Sequence, residues 1–162
     1  MEIREATPED WQQIWPIFRD VVAAGDSYAF DPGITFDDAR DLWMERPPGA
    51  TVVAVEDGVV LATAKMGPNR PGRGAHIGTA SFMVGPEARG KGVGRKLGEH
   101  VVTWHRERGY RGIQFNAVVE TNLAAVRLWE GLGFEIVGTV PGAFRHAEHG
   151  DVGLHVMYLP LP

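Results

Sequence analysis

The stretch from Ala80 to Trp104 constrains the fold of this chain more than any other, because its pattern changes from strand-like to helix-like across a glycine-rich turn. Residues 80–84 form a short apolar run, as in a buried strand. Beyond the turn, apolar side chains recur at helical spacing, at Val93, Leu97, Val101 and Trp104. The sequence therefore predicts a strand, a tight turn and a helix in direct succession.

The predicted turn has the composition of an anion-binding site. Glycines at positions 90, 92 and 94 permit positive φ and allow a ligand to approach the backbone closely. The free N–H groups of a helix start, together with the positive end of its dipole, attract negative charge. Basic side chains cluster here in a chain of net charge −5. We therefore expect a phosphate or diphosphate to be held by Arg89, Gly90, Lys91, Gly92, Val93, Gly94 and Arg95, with Lys96 nearby.

Three kinds of phosphate-binding loop compete for this turn. Gly85 to Lys91 fits the nucleoside-triphosphate pattern G-x-x-x-x-G-K, but residue 92 is glycine, so the hydroxyl that holds Mg²⁺ is missing. The glycines also lack the G-x-G-x-x-G spacing of a dinucleotide fold. The third pattern, Arg89-x-x-Gly92-x-Gly94 after a strand and Pro86, resembles the acyl-CoA loop of the GCN5-related N-acetyltransferase (GNAT) superfamily.

A second stretch, from Asn122 to Phe134, is similar to the other GNAT signature, N-x-x-A-x-x-x-Y-x-x-x-G-F. The resemblance implies that Asn122, Ala125 and Trp129 face the pantetheine arm and thiol of acetyl-CoA, the co-substrate of the family. Asn122 is equally suited to cap the helix that it begins.

One position departs from that signature. Trp129 stands where many family members have the tyrosine that protonates the leaving thiolate. Either another group supplies the proton, with Tyr28 and Tyr158 as candidates, or none is needed, because an aliphatic thiol has a pKa of roughly 8.5.

The predicted elements run in the order β-α-α-β-β-β-α-β-α-β-β through a single domain, residues 1–162. A meander followed by βαβ units predicts a mixed α/β fold, with a central seven-stranded sheet flanked by about four helices. The GNAT fold has this same order. A strand splayed away from Gly112–Val119 would free backbone N–H groups for the acyl and pantetheine carbonyls, and we assign these to Phe82, Met83 and Val84.

Two predicted loops, Asp26–Ile34 and Pro141–Asp151, should lie over the acetyl end of the donor. They are expected to contribute the substrate contacts, and an arginine there would suit a carboxylate-bearing substrate. The candidates are Tyr28, Phe30, Phe144 and Arg145.

Two asparagines six residues apart, Asn116 and Asn122, give a clue to the substrate. The pair resembles one that lines the substrate site of proline-analogue (azetidine-2-carboxylate) acetyltransferases, and phosphinothricin-type acetyltransferases are similar in layout. Both groups acylate an α-amino or imino acid. Glu120 is the best-placed candidate for a general base, although it would also suit a helix cap. The candidate catalytic residues are Asn116, Asn122 and Glu120, and Asn116 also counts as a substrate contact.

Composition excludes several other classes of function. The net charge of −5 argues against general nucleic-acid binding, and the lack of cysteine excludes disulfides, thiolate metal sites and a cysteine nucleophile. The six histidines form no H-x-x-x-H pair, so no metal site is expected. No apolar run approaches membrane-spanning length and residues 1–5 do not resemble a signal peptide, which makes the cytoplasm the expected location.

Together these patterns predict an enzyme that moves an acetyl group from acetyl-CoA to the amine of a small amino- or imino-acid-like molecule, by direct attack in a ternary complex. Two alternatives remain open. Trp129 would also suit a non-catalytic acyl-CoA-binding or regulatory domain. The family further includes acetyltransferases of protein N-termini and lysines. A homodimer is expected only by analogy with family members.

Overall fold

Seven strands form one mixed sheet in a computed structural model that describes residues 1–162. The strands are β1 Glu2–Glu5, β2 Ala50–Glu56, β3 Val59–Pro68, β4 Ile77–Val84, β5 Gly112–Val119, β6 Glu135–His146 and β7 Gly150–Pro160. The α-helices are α1 Trp11–Ala24, α2 Phe36–Trp43, α3 Val93–Glu107 and α4 Leu123–Gly131. The strand order in the sheet is β1-β2-β3-β4-β5-β7-β6. The predicted element order and the mixed seven-stranded sheet are confirmed.

The helices cover both faces of the sheet because neighbouring strand residues point to opposite sides. In β2, Val53 packs with α1 and α2, whereas Val52 and Ala54 pack with α3. The α1 and α2 face is rich in aromatic residues, with Trp11, Phe18 and Trp43 almost fully buried. No helix is both long and apolar enough to cross a bilayer.

Strands β4 and β5 run parallel but are paired over only two positions, Ile77 with Gly112 and Gly78 with Ile113. Beyond Gly78, β4 stays paired with β3, while β5 follows β7 through an irregularity between Phe115 and Val118. The two strands therefore diverge towards their C-terminal ends. The predicted splay is confirmed, and we call the resulting opening the β4–β5 gap.

The prediction of a loop at Pro141–Asp151 is wrong. Strand β6 continues to His146 and β7 begins at Gly150, so only residues 147–149 connect them. The register shift between Val140 and Phe144 accommodates a proline and a glycine within the strand. Because β6 is an edge strand, the missing proline N–H leaves no ladder partner unsatisfied.

The tip of this β6–β7 hairpin touches the end of α1. The Ala147 N–H donates to the Gly25 carbonyl over 2.9 Å. A Cβ added to Gly25 would lie 2.9 Å from the Ala147 Cβ, so the contact requires glycine there. Gly25 also ends α1 in the left-handed region, at φ 66°. The hairpin thus supports the segment 26–34 that follows.

His105 is a buried histidine in α3, with Nδ1 2.8 Å from the Val101 carbonyl oxygen and no partner for Nε2. Its ring fills the space beside Gly78, where a Cβ would lie 2.2 Å from the imidazole. Burial lowers the pKa of His105, so the folded protein holds this side chain neutral.

We expect this histidine to make the protein less stable in mild acid. The unfolded chain binds a proton near pH 6.5 and the folded chain resists it, so stability is complete above pH 6.5. Below that pH the free energy of unfolding should fall by up to about 1.4 kcal/mol per pH unit. Urea unfolding at pH 7.5, 6.5 and 5.5 measures this fall, and His105→Gln should reduce it. An equal pH dependence in both proteins would contradict the prediction.

Candidate active site

A cavity of about 380 Å³ occupies the β4–β5 gap. On one face of the sheet its wall includes Ala125 and Trp129 of α4. On the other it includes Tyr28 and Phe30 of the segment 26–34, with Phe144 of β6. We call this space the central cavity. Because it is lined from both faces of the sheet, two ligands that enter from opposite sides can meet in it.

The backbone of β4 presents alternate residues to this gap. Asn69 N–H donates to the Ile77 carbonyl and Gly85 N–H to the Leu61 carbonyl, so both ends of β4 bond to the β3 side with odd-numbered residues. By the alternation of an antiparallel ladder, Met83 also bonds towards β3. The expectation that its N–H is free for a ligand is therefore wrong. Phe82 and Val84 face the gap, as predicted.

The Phe82 backbone already has a partner in the gap, the side chain of Tyr28. The Tyr28 hydroxyl accepts from the Phe82 N–H at 2.8 Å and donates to the Phe82 carbonyl at 2.7 Å. One phenol thus replaces the peptide group that β5 would have supplied. Burial raises the pKa of Tyr28 to about 12, so its hydroxyl stays protonated.

The turn that follows β4 lies at the open end of the gap. Gly90 and Gly92 have φ of 76° and 75°, and a Cβ on either would meet nothing within 4 Å. Gly92 is the N-cap of α3, so the first N–H groups of that helix have no intrahelical partner. Arg89 and Lys91 are exposed and unpaired in this structure. This geometry suits an anion, as the sequence predicts.

Arg95 and Gly94, also predicted to hold the anion, have contacts with other residues of the protein. Arg95 forms an exposed ion pair with Glu99 at 3.0 Å. Gly94 has no positive φ, and a Cβ there would lie 3.4 Å from the Leu128 side chain. A side-chain carbon at position 94 would thus make an ordinary contact with α4, whereas a Cβ on Gly98 would lie 2.7 Å from the Leu132 side chain, so Gly98 is the glycine that lets α3 approach α4 closely.

The two predicted asparagines have different hydrogen-bond partners. Asn116 lines the central cavity, donates to the Asn69 side chain at 2.7 Å and accepts from Gln114 at 2.9 Å. Asn122 caps α4 by accepting from the Ala125 N–H at 3.3 Å, and it does not line the cavity. Asn116 therefore lies on the cavity wall, whereas the Asn122 side chain is used as a helix cap.

Glu120 and Arg145 are also directed elsewhere. Glu120 accepts from the Gly153 N–H at 2.7 Å, which ties β5 to β7, and it does not line the cavity where a base would act. Arg145 leaves 87% of its side chain exposed and pairs with Asp151 at 3.1 Å. Neighbouring strand residues point to opposite faces, so Arg145 turns away from the cavity that Phe144 lines.

Sequence reasoning missed a second cavity of about 600 Å³, which meets the first at Thr79, Ala80, Ser81 and Asn116. We call it the polar cavity. Arg46 and Arg70 line it and take part in no ion pair, whereas Lys65 is paired with Glu45 at 3.5 Å. In the sequence, Arg70 lies in a glycine- and proline-rich loop, and no local pattern indicates which part of the structure this loop faces. No group of three or more His, Cys, Asp or Glu side chains is arranged to hold a metal ion.

Comparison with known proteins places this architecture in a family. Residues 7–134 match the family described as Acetyltransferase (GNAT) family. A GCN5-related N-acetyltransferase from Kribbella flavida superposes with a TM-score of 0.96 at 55% identity, over 99% of this chain and 97% of that one. YncA from Salmonella typhimurium, a putative acetyltransferase solved with its cofactor acetyl-CoA, has a TM-score of 0.84 and 28% identity, over 100% and 94%. The L-amino acid N-acyltransferase MnaT of Escherichia coli is 30% identical, over 87% of this chain and 83% of its own.

A splayed mixed sheet with a glycine-rich turn at its open end is the architecture that this chain shares with the GCN5-related N-acetyltransferase from Kribbella flavida. The match over residues 7–134 makes the assignment specific: the chain belongs to the GNAT family and is an N-acetyltransferase of that family.

We expect Gly92→Ala to weaken acetyl-CoA binding by about tenfold. A non-glycine residue in the left-handed region costs roughly 1–2 kcal/mol, and the backbone relieves this strain by turning its N–H groups away from the ligand. Isothermal titration calorimetry measures the dissociation constant.

Gly58→Ala is the matched control, because Gly58 has φ 76° and equally open surroundings in the β2–β3 turn. Thermal denaturation should show similar losses of stability in the two variants, with only Gly92→Ala losing affinity. Equal affinity in both would refute a role for this turn in binding.

Proposed function

We propose that this enzyme transfers the acetyl group of acetyl-CoA to the amine of a small molecule that carries a carboxylate, by direct attack in a ternary complex. The observation that carries the proposal is the central cavity, which is lined from both faces of the sheet and meets the polar cavity at Asn116. Direct transfer requires both reactants to be held at one point, and positioning of this kind contributes much of the rate enhancement.

The position of acetyl-CoA is inferred from the turn after β4 and from the β4–β5 gap. A diphosphate held by the turn after β4 directs the pantetheine arm along β4 into the opening. The outward backbone groups of Val84 then pair with the arm, as an added strand would, and the Phe82 N–H is available to the thioester carbonyl. Ala125 and Trp129 form the apolar wall on that face. The acetyl-CoA bound by YncA supports this assignment.

The position of the acceptor is inferred from the polar cavity. Arg46 and Arg70 supply two uncompensated positive charges beside the point where the amine would attack. A guanidinium group binds a carboxylate through paired hydrogen bonds. The role that the sequence suggested for Arg145 therefore passes to these two residues. The similarity to MnaT, which is named an L-amino acid N-acyltransferase, supports an amino-acid-like acceptor.

A thiol-release assay tests the function directly. Acetyl-CoA is offered with amino acids, imino acids, polyamines and a lysine peptide, and CoA release is followed. Turnover is expected with the amino- or imino-acid group. Affinity for acetyl-CoA without turnover on any amine would favour the non-catalytic alternative that Trp129 suggests, and turnover on the peptide alone would favour a protein acetyltransferase.

We expect Arg46→Gln and Arg70→Gln each to raise the KM for the acceptor by about 10- to 100-fold. Loss of a charge-assisted hydrogen bond costs about 1.5–3 kcal/mol, and the bond to the acceptor carboxylate is lost in both variants. Steady-state kinetics with the best acceptor measures the change, and the KM for acetyl-CoA should stay constant.

Arg73→Gln is the matched control, because this exposed arginine lies in the same loop as Arg70 but does not line the polar cavity. Decarboxylated analogues of the acceptor should be insensitive to all three substitutions. An unchanged acceptor KM in both cavity variants would refute the carboxylate assignment.

A further inference from the structure

Few side chains in the central cavity can donate or accept a proton. The sixteen residues that line the cavity include no carboxylate, imidazole, ammonium or guanidinium group, and Tyr28 is the one titratable side chain among them. The charged side chains nearby line the polar cavity instead, namely Glu45, Arg46, Lys65 and Arg70. Acyl transfer must nevertheless remove a proton from nitrogen and deliver one to sulfur.

The Tyr28 hydroxyl lies in the β4–β5 gap, into which the proposed donor would bring its thioester. Its bonds of 2.8 and 2.7 Å to the Phe82 N–H and carbonyl hold it on the gap side of β4. The ring is fixed by stacking on Phe30, with centroids 5.8 Å apart, and by edge contact with Trp43 at 6.5 Å. A thioester carbonyl that binds the Phe82 N–H replaces the phenol oxygen there. The O–H then becomes free to turn to the sulfur, which is bonded to the same carbon.

We propose that Tyr28 is a catalytic residue that protonates the departing sulfur of CoA, a role that usually belongs to a side chain of α4 but that the indole of Trp129 cannot perform. This inference rests on the proposed function. It places the proton donor on the segment between α1 and α2, on the acceptor side of the sheet.

The amine nitrogen forms a bond to the thioester carbon and the carbonyl π electrons move to oxygen. When the intermediate collapses, that electron pair re-forms the C=O bond, the C–S bond breaks and sulfur leaves with the electron pair of the broken bond. Sulfur takes the proton of the Tyr28 hydroxyl, and the phenolate takes the proton that nitrogen releases. The products are the amide and CoA thiol, with Tyr28 restored.

Two properties of the site fit this step. Burial raises the pKa of Tyr28 to about 12, so the phenol stays protonated near neutral pH and acts as a donor. Transfer to a thiolate from so weak an acid requires the nitrogen proton to replace it at once. The neighbouring Ser81 lines both cavities, and its side chain interacts with the Tyr28 hydroxyl.

Tyr28→Phe tests the proposal, because it removes the hydroxyl and keeps the ring that packs on Phe30. We expect kcat to fall by about 100-fold, the scale of general acid catalysis, while calorimetry shows acetyl-CoA bound at least as tightly. Tyr110→Phe is the control, since its hydroxyl lies outside the central cavity, and it should retain kcat. An unchanged kcat in Tyr28→Phe would overturn the proposal.

A second measurement needs no acceptor, so it separates failure of this inference from failure of the proposed function. The thiolate absorbance of enzyme-bound CoA is followed as pH rises. A phenol that donates to sulfur stabilises the thiolate, so the bound thiol should have a pKa about one unit lower in the wild type than in Tyr28→Phe, a tenfold effect. Equal thiol pKa values would overturn the role of Tyr28 even if no acceptor has been found.

A further variant tests the role of Tyr28 if Tyr28→Phe does not fold. Incorporation of 3-fluorotyrosine at position 28 keeps the hydroxyl and its contacts but makes the phenol more acidic. A changed kcat with intact acetyl-CoA affinity supports proton donation, and an unchanged kcat contradicts it.

Discussion

The site depends on how briefly β4 and β5 are paired. Two parallel pairs, at Ile77 and Gly78, fix the strands side by side, and the even-numbered residues of β4 beyond them have backbone groups that face the gap and that β5 does not reach. A buried backbone N–H or C=O group without a hydrogen-bond partner costs free energy. The groups of β4 that face the gap therefore require a partner both with and without a ligand. In the free enzyme the Tyr28 hydroxyl is that partner for Phe82. Under the proposed function, a donor with carbonyl and amide groups of its own would replace it without leaving the strand unsatisfied.

The local features of this site were predictable from the sequence. The spacing of glycines and cations at 89–95 depends on residues adjacent in the chain, and the pattern change at Val93 identifies the helix start within one residue. Strand β5 was likewise bounded correctly by its apolar run. These signals lie within windows of about 15 residues, over which periodicity and turn chemistry are informative.

The features that sequence reasoning missed are those that long-range pairing decides. Pro141 and Gly142 look like a loop, but β7 supplies an irregular edge pairing that keeps them in a strand. Arg70 reaches the site because the loop before β4 folds towards β5, where Asn69 and Asn116, 47 residues apart, share a hydrogen bond. The sequence around Glu120 suits a general base, but its carboxylate accepts a hydrogen bond from the Gly153 N–H, 33 residues away. None of these contacts has a local signature.

The contact between Ala147 and Gly25 has a consequence for how substrate range can change in this enzyme. It joins the hairpin that carries Phe144 to the segment that carries Tyr28 and Phe30, so the aromatic residues that line the central cavity are linked through one backbone contact. Lengthening the hairpin tip, or placing a larger residue at position 25, would displace the opposite wall as well. Altered selectivity would therefore arise through paired substitutions in these two segments more readily than through changes in either one.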